Sequence, residues 1–116
     1  MEYSIEKKGR FTQIHILGNV DTETTTRKLD NDVTACIAKG QHHFVFNLNK
    51  TTYLDSAGIS VFVHCLCDIQ HHNGSIFLIA ADNQVRKVLT MVGITRLIKT
   101  YDSEEDFTKE QMAEVP

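Results

Sequence analysis

The stretch that decides the fold is residues 44–80, FVFNLNKTTYLDSAGISVFVHCLCDIQHHNGSIFLIA. It opens with a short, β-prone apolar run at 44–48 and closes with a nearly continuous apolar run at 75–80. Such runs are typical of strands covered on both faces, as in parallel sheets. Between them, five apolar residues recur at helical spacing: Ile59, Phe62, Val63, Leu66 and Ile69. With Asn73-Gly74 ending the helix, the stretch predicts a strand–helix–strand unit with a right-handed crossover.

The chain before this unit predicts a hairpin and a helix. Two alternating segments, from Tyr3 to Ile5 and over residues 11–17, flank a polar turn that contains Gly9. They indicate two antiparallel strands with one solvated face. The segment from Gly18 to Asp21 is predicted to break the second strand, and Asp21 or Thr22 can cap the following helix. Three apolar residues at four-residue spacing mark the buried face of that helix, and Gly40 its end: Leu29, Val33 and Ile37.

The chain after the unit predicts two more helices and one strand. Asp82 can cap a helix that Gly93 ends. The apolar face of this helix is formed by Val85, Val88, Leu89 and Val92. Leu97-Ile98 is predicted to form a last short strand. Ser103, followed by three acidic residues that suit the helix dipole, begins a final helix, and Met112 to Pro116 is predicted to be a frayed tail.

The predicted order, β-β-α-β-α-β-α-β-α, defines the fold class as α/β. We expect one domain over residues 1–116, with its core at about 3–107 and a mixed, mostly parallel sheet packed with helices.

Hydrophobic residues make up 41% and charged residues 23% of the chain, which excludes a mainly disordered protein. The formal net charge of −3 gives no reason to expect nucleic acid as a partner. The sequence has no apolar run of membrane-spanning length and no signal peptide, and its three cysteines are an odd number, which predicts reduced thiols and a cytoplasmic location.

The element Asp55-Ser56-Ala57-Gly58 lies where the predicted helix of the central unit begins. Asp55 or Ser56 can be its N-cap, and on a purely structural interpretation Ser56 is a cap and nothing more. On a functional interpretation, Ser56 is a phosphate acceptor, because free N–H groups and the helix dipole tolerate an anion there. Gly58 removes side-chain bulk and lets another protein approach.

Other chemistry is poorly supported by the residue pattern. A nucleophile elbow needs glycine two residues before the serine, where this chain has Leu54, so a serine hydrolase is disfavoured. The adjacent pairs His42-His43 and His71-His72 diverge in direction, and His64 and Asp68 lie on a helix face that is predicted to be solvated. Cys65 and Cys67 are interpreted as small packing residues, since no second cysteine pair completes a zinc site. No glycine-rich nucleotide loop occurs, so no cofactor is expected and ATP would have to come with a partner.

Several segments in this order resemble the bacterial anti-sigma factor antagonists, which carry the STAS domain. They are Gly18-Asn19-Val20-Asp21, Asn47-Leu48, Tyr53 through Ile59, Asn73-Gly74 and the helix segment from Val85 to Gly93. The resemblance covers the chain from about Tyr3 to Phe107. Many members of the family have serine where this chain has Ala57, a difference that leaves Ser56 as the acceptor.

The resemblance implies a partner-switching regulator and not an enzyme. The unphosphorylated form would bind an anti-sigma factor that is also a serine kinase, and a sigma factor would be released. Phosphorylation of Ser56 by that kinase, with its own ATP, would end the binding, and a metal-dependent serine phosphatase would reset the cycle. The partner surface would include Asn19, Asp21, Asp55, Ala57, Gly58 and Ile59. The alternative is a STAS scaffold or regulatory subunit, in a signalling or transport complex, that does not switch.

Overall fold

The computed structural model describes residues 2–20, 24–81 and 84–112. The described residues form five strands: β1 (Glu2–Lys8), β2 (Phe11–Val20), β3 (His43–Leu54), β4 (Ser75–Ile79) and β5 (Thr100–Tyr101). They also form five helices: α1 (Thr24–Ala38), α2 (Ser56–His71), α3 (Gln84–Met91), α4 (Ile94–Leu97) and α5 (Glu104–Gln111). The predicted order of elements and the α/β class are confirmed, with α4 as an additional element.

The five strands make one sheet in the order β1-β2-β3-β4-β5. The β1–β2 pair is antiparallel and turns over Gly9-Arg10, while the three other strand pairs are parallel. Gly9 has a φ of +60°, which glycine adopts without strain. Each parallel pair is joined through helical segments, as the length of a parallel crossover requires. The hairpin and the mostly parallel sheet are therefore confirmed.

The second strand does not break at Gly18 as predicted. β2 runs on to Val20, and its register with β3 shifts twice, between His15 and Leu17 and between Gly18 and Asn19. Gly18 has a φ of +73°, which a regular strand does not accommodate, and the register shift between Gly18 and Asn19 lies at this residue. The strand therefore bends where the sequence predicted that it would end.

Four of the helices share one hydrophobic core with one face of the sheet. The predicted stripe of α1 is confirmed, since Leu29, Val33 and Ile37 are all buried. They pack with alternate residues of β3, Phe44, Phe46 and Leu48, and with residues of α2, α3 and α4. In α3, Val85 and Leu89 are buried, whereas Val92 lies beyond the helix and is half exposed, so its place in the apolar face was predicted wrongly.

The other face of the sheet is only partly covered. α5 places Phe107 against a second cluster, formed with Phe11, Val45, Ile79 and Tyr101. Beside this cluster, two buried amide side chains hydrogen-bond on the sheet, Asn47 Nδ2 donating to Gln13 Oε1 at 3.3 Å. Met112 packs against the second cluster, and residues 113–116 of the predicted tail lie outside the described residues.

The ends of α1 and α2 follow the predicted signals. Gly40 has a φ of +89°, and the N–H of Gln41 donates to Cys36 O at 3.0 Å, which completes a Schellman motif. At the end of α2, Asn73 takes the left-handed position with a φ of +60°, and the N–H of Gly74 donates to Ile69 O at 2.9 Å. Both helix ends were predicted correctly, although α2 uses asparagine where glycine is more common.

The last predicted strand was placed wrongly. Leu97 is the last residue of α4 and is 70% exposed, whereas the strand is formed by Thr100–Tyr101. Ile94 and Ile98 are both buried in the main core, so a single helical turn suffices to bury them. The predicted start of α5 at Ser103 is confirmed, and Ser103 is its N-cap, since Ser103 Oγ accepts from Asp106 N–H at 3.1 Å. The predicted cap Asp82 lies outside the described residues.

Candidate functional site

The candidate site lies at the carboxyl ends of two neighbouring parallel strands. In the register of β2 and β3, Asn19 is paired with Tyr53 and Val20 with Leu54. The end of β2 is therefore beside the residue that precedes Asp55. The sequence predicted that the turn at Asn19 and the Asp55-Ser56 element belong to one surface, and the strand register brings their backbones together. Asp21 and Thr22, predicted as caps, lie outside the described residues.

Asp55 is the residue that caps α2. Its Oδ1 accepts a hydrogen bond from the backbone N–H of Gly58 at 3.1 Å, and its carbonyl oxygen accepts from the N–H of Ile59 at 3.0 Å. These are the contacts of an N-cap residue with the third and fourth residues of a helix. The sequence left Asp55 and Ser56 open as the cap, and the geometry assigns the cap to Asp55.

The residues after Asp55 occupy the first turn of α2. Ser56 is the first residue of the helix and Ala57 the second. Gly58 is buried, and Ile59 is half-buried and packs against the main core. Gly58 and Ile59 therefore lie on the side of the turn that faces the core. Asp55, which precedes the turn, is half-buried. The side chains of Asn19, Ser56 and Ala57 are outside the described part of the chain.

The buried face of α2 differs in part from the predicted stripe. Leu66 and Ile69 are buried as predicted, but Val63 is 44% exposed, and Cys65 takes a fully buried place in the core. Burial raises the pKa of the Cys65 thiol to about 12, so this thiol stays protonated and unreactive at neutral pH. Cys67 is exposed, so its predicted packing role was wrong.

The polar face of α2 faces α1 as well as solvent. His64 Nδ1 lies 2.7 Å from Asp30 Oδ1, and Thr34 Oγ1 donates to Asp68 Oδ2 at 3.2 Å. His64 is nonetheless 65% exposed, which agrees with the predicted solvated face. Among the described residues, no group of three or more histidine, cysteine or acidic side chains is placed to hold a metal ion.

The paired histidines lie at the end of the sheet where β3 and β4 begin. The ring of His42 stacks on that of His72 with centroids 6.5 Å apart, and His43 Nδ1 lies 2.6 Å from Ser75 Oγ. The pKa of His43 is lowered, chiefly by burial and further by Arg10, His42 and Lys7. The candidate site is at the opposite, carboxyl ends of the strands, so these histidines do not belong to it.

An apolar groove beside the site was not predicted from the sequence. β4 pairs with β3 only as far as Asn47, so the second half of β3 extends beyond it and has α3 alongside. A cavity of about 300 Å³ lies between them, and Tyr53, Leu54, Val85, Val88 and Met91 are among its lining residues. Tyr53 is 53% and Met91 85% exposed. The available signal was Met91, a large apolar residue off the buried stripe of its helix.

Comparison with known proteins identifies the family of the chain. A family model described as the STAS domain matches residues 2–107. The chain belongs to the STAS domain family. The match spans both hydrophobic clusters and the candidate site, and it confirms the resemblance inferred from the sequence.

Relatives of this STAS domain are regulators by name. The chain is 20% identical over 96 residues to the anti-sigma-B factor antagonist of Staphylococcus aureus. The aligned region covers 83% of this chain and 88% of that protein. It superposes on an anti-sigma factor antagonist from Mycobacterium paratuberculosis with a TM-score of 0.82 at 16% identity, over 97% of this chain and 94% of that one. It also superposes on the phosphorylated form of the Bacillus cell fate determinant SpoIIAA, with a TM-score of 0.73 at 17% identity and coverage of 93% and 98%. At these identities the structural likenesses establish the fold.

The part of the chain that the structure describes also bears on membrane association. None of its helices is both long and apolar enough to cross a membrane.

Proposed function

We propose that this STAS domain is an anti-sigma factor antagonist whose binding is switched off by phosphorylation of Ser56. The observation that carries the proposal is the position of Ser56 as the first residue of α2, directly after the capping Asp55 and beside the end of β2. Membership of the STAS family and the names of its relatives support the general role.

A phosphate at this position is compatible with the fold. A helix N-terminus favours an anion by about 0.3–1 kcal/mol. Asp55 already satisfies the Gly58 N–H, so the cap does not depend on the serine. Phosphorylation adds about −1.5 to −2 charges, beside one carboxylate, to a chain with a formal charge of −3. The modified domain should therefore keep its backbone while its surface changes.

The same charge would be unfavourable in an interface. A buried charge that is left unpaired costs about 2–5 kcal/mol of binding free energy. That corresponds to a loss of affinity of about 30-fold to several thousand-fold. This penalty exceeds the helix-dipole contribution, so the switch acts by electrostatic and steric blockade of the bound surface. We expect that surface to include Asn19, Asp21, Asp55, Ser56 and Ala57, with the buried Gly58 and the half-buried Ile59 behind it.

The proposed partners are those that the resemblance to anti-sigma factor antagonists implies. An anti-sigma factor with serine kinase activity binds the unphosphorylated form, releases a sigma factor and brings its own ATP and catalytic base. A metal-dependent serine phosphatase removes the phosphate. The antagonist itself supplies a hydroxyl and a recognition surface and needs no cofactor.

The test is to mix the purified protein with ATP and purified anti-sigma factor kinases and to map phosphate by mass spectrometry. Phosphate on Ser56 of the wild-type protein, and none on Ser56→Ala, is the expected result. Phosphate at another residue, or binding that persists unchanged after Ser56 is modified, contradicts the proposal. In the alternative function, a STAS scaffold that does not switch, the chain would bind its partner equally well in both states.

A further inference from the structure

We propose that the groove between Tyr53 and Met91 is a second docking site for the same anti-sigma factor, where an apolar side chain of that partner is buried. This inference rests on the proposed function, because it names the part of the antagonist surface that holds the partner in addition to the switch at Ser56.

The groove is built to receive an apolar group. Its cavity of about 300 Å³ is bounded on one side by Thr52, Tyr53 and Leu54 of β3 and on the other by α3. Leu54 and Val85 are buried at its base, while Tyr53 and Met91 stand exposed at its margins. Tyrosine and methionine are enriched in protein interfaces, and binding energy concentrates where such residues surround a pocket. An aliphatic or aromatic side chain is therefore the occupant that the lining favours.

The size of a stable interface requires that the partner extends beyond the switch. A specific interface buries about 800 Å² on each partner, from about 20–30 residues. The predicted surface consists of six residues and the serine, and of these Gly58 is buried and Ile59 is half-buried. A partner held only there would fall well short of the usual area. Its contact surface must continue onto neighbouring elements.

The strand register directs that continuation toward the groove. Asn19, which belongs to the predicted surface, is paired with Tyr53 on β3. Tyr53 also precedes Asp55 by two residues, so a protein that covers both Asn19 and Asp55 lies directly beside the Tyr53 ring. From there the exposed apolar surface continues to Met91 on α3. The occupant of the groove is therefore part of the molecule that covers Ser56.

The experiment compares variants for binding to a purified anti-sigma factor kinase that phosphorylates the wild-type chain. Met91→Ser and Tyr53→Ser remove the two exposed margins of the groove. Because both side chains are largely exposed, neither change should alter the folded state. Ile5→Ser is the matched control, since Ile5 is a 42% exposed apolar residue on β1, at the far edge of the sheet. Dissociation constants are measured by titration calorimetry with unphosphorylated proteins, and folding is checked by urea unfolding.

We expect each groove variant to weaken binding by about tenfold or more, with Ile5→Ser within about twofold of wild type. Wild-type affinity in both groove variants, with phosphate still mapped to Ser56, overturns the docking site and leaves the proposed function standing. If no anti-sigma factor kinase binds or phosphorylates the wild-type chain, the proposed function fails, and the docking site falls with it. An equal loss in Ile5→Ser also counts against the groove.

Discussion

Asp55 caps α2 through Gly58, its Oδ1 accepting the backbone N–H of Gly58 at 3.1 Å, so the residue beside the proposed phosphate acceptor holds the first helical turn in place. The N-cap position, which the sequence left open between Asp55 and Ser56, therefore belongs to Asp55. Asp55 stabilises the turn, and the adjacent Ser56 is the proposed phosphate acceptor. The two roles can therefore be tested by separate substitutions.

The cap predicts a clear difference between two substitutions of Asp55. Asp55→Ala removes the acceptor and should lower the free energy of unfolding by about 1 kcal/mol, within the usual range for an N-cap. Asp55→Asn keeps an oxygen acceptor and should restore most of that loss. Urea unfolding at pH 7 measures both. Equal stability of the alanine and wild-type proteins would show that the hydrogen bond to Gly58 contributes nothing.

Substitutions of Ser56 should change binding without changing the fold. Ser56→Ala should bind the kinase partner as the wild type does, since the surface keeps its charge and shape. Ser56→Asp should bind at least about tenfold more weakly, because it places a second carboxylate next to Asp55 in the interface. Circular dichroism should be the same for all three proteins. Unchanged affinity of Ser56→Asp would contradict electrostatic blockade.

The turn after α2 should not tolerate a side chain at Gly74. A Cβ placed there would lie 2.2 Å from the carbonyl oxygen of His42 and 2.7 Å from Ile69 Cγ2. Gly74→Ala should therefore destabilise the protein by about 1–3 kcal/mol, as overpacking does. Asn73→Gly is the matched control in the same turn, and it should preserve or raise stability because Asn73 has a φ of +60°. Thermal unfolding of both variants tests the contact, and a wild-type melting temperature for Gly74→Ala would refute it.

His43 should make folding sensitive to mild acid. Burial, followed by the charges of Arg10, His42 and Lys7, lowers its pKa in the folded protein below the ordinary value of 6.5. A histidine with a lowered folded pKa contributes stability that is fully present above the unfolded pKa and is lost as pH falls through the folded pKa. Stability measured by urea unfolding should therefore begin to fall as the pH is lowered to about 6.5, the ordinary histidine pKa, and continue to fall below it.

His43→Gln isolates this contribution from that of the carboxylates. Glutamine cannot gain a proton in this range, and its amide can still reach a hydrogen-bonding partner such as Ser75 Oγ, which lies 2.6 Å from His43 Nδ1. The variant should lose less stability than the wild type over the same pH interval. Parallel curves for the two proteins would show that His43 does not titrate with unfolding.

Most of the architecture follows from patterns that act over short distances. Three local features were predicted correctly: the buried stripe of α1, the helix ends at Gly40 and Asn73, and the start of α5 at Ser103. The prediction of a strand at Leu97-Ile98 failed because an isolated pair of apolar residues is equally satisfied by one helical turn. The packing role predicted for Cys65 is confirmed, but the sequence of α2 is apolar on several sides and did not show that Val63 would be exposed.

In the candidate site, too, local features could be predicted from the sequence and features that depend on long-range packing could not. The sequence predicted a partner surface at Ser56 and Asn19 from local motifs, and that surface stays a prediction, whereas the residue that caps α2 could be assigned only from side-chain geometry. The groove between Tyr53 and Met91 depends on where α3 packs along β3, a contact between residues almost forty positions apart. No local pattern carries such information, because the same apolar residues would suit a helix placed elsewhere on the sheet.

The unequal lengths of β3 and β4 have a consequence for how such domains diversify. β3 has 12 residues and β4 has five, so the last part of β3 extends past the section of sheet where the two strands pair. Leu48, Thr51 and Leu54 in this extension are buried, but its exposed residues, such as Thr52 and Tyr53, can vary without rearranging the β3–β4 pairing. A change at those exposed positions would alter the surface beside Asp55 while the framework of the sheet stays the same.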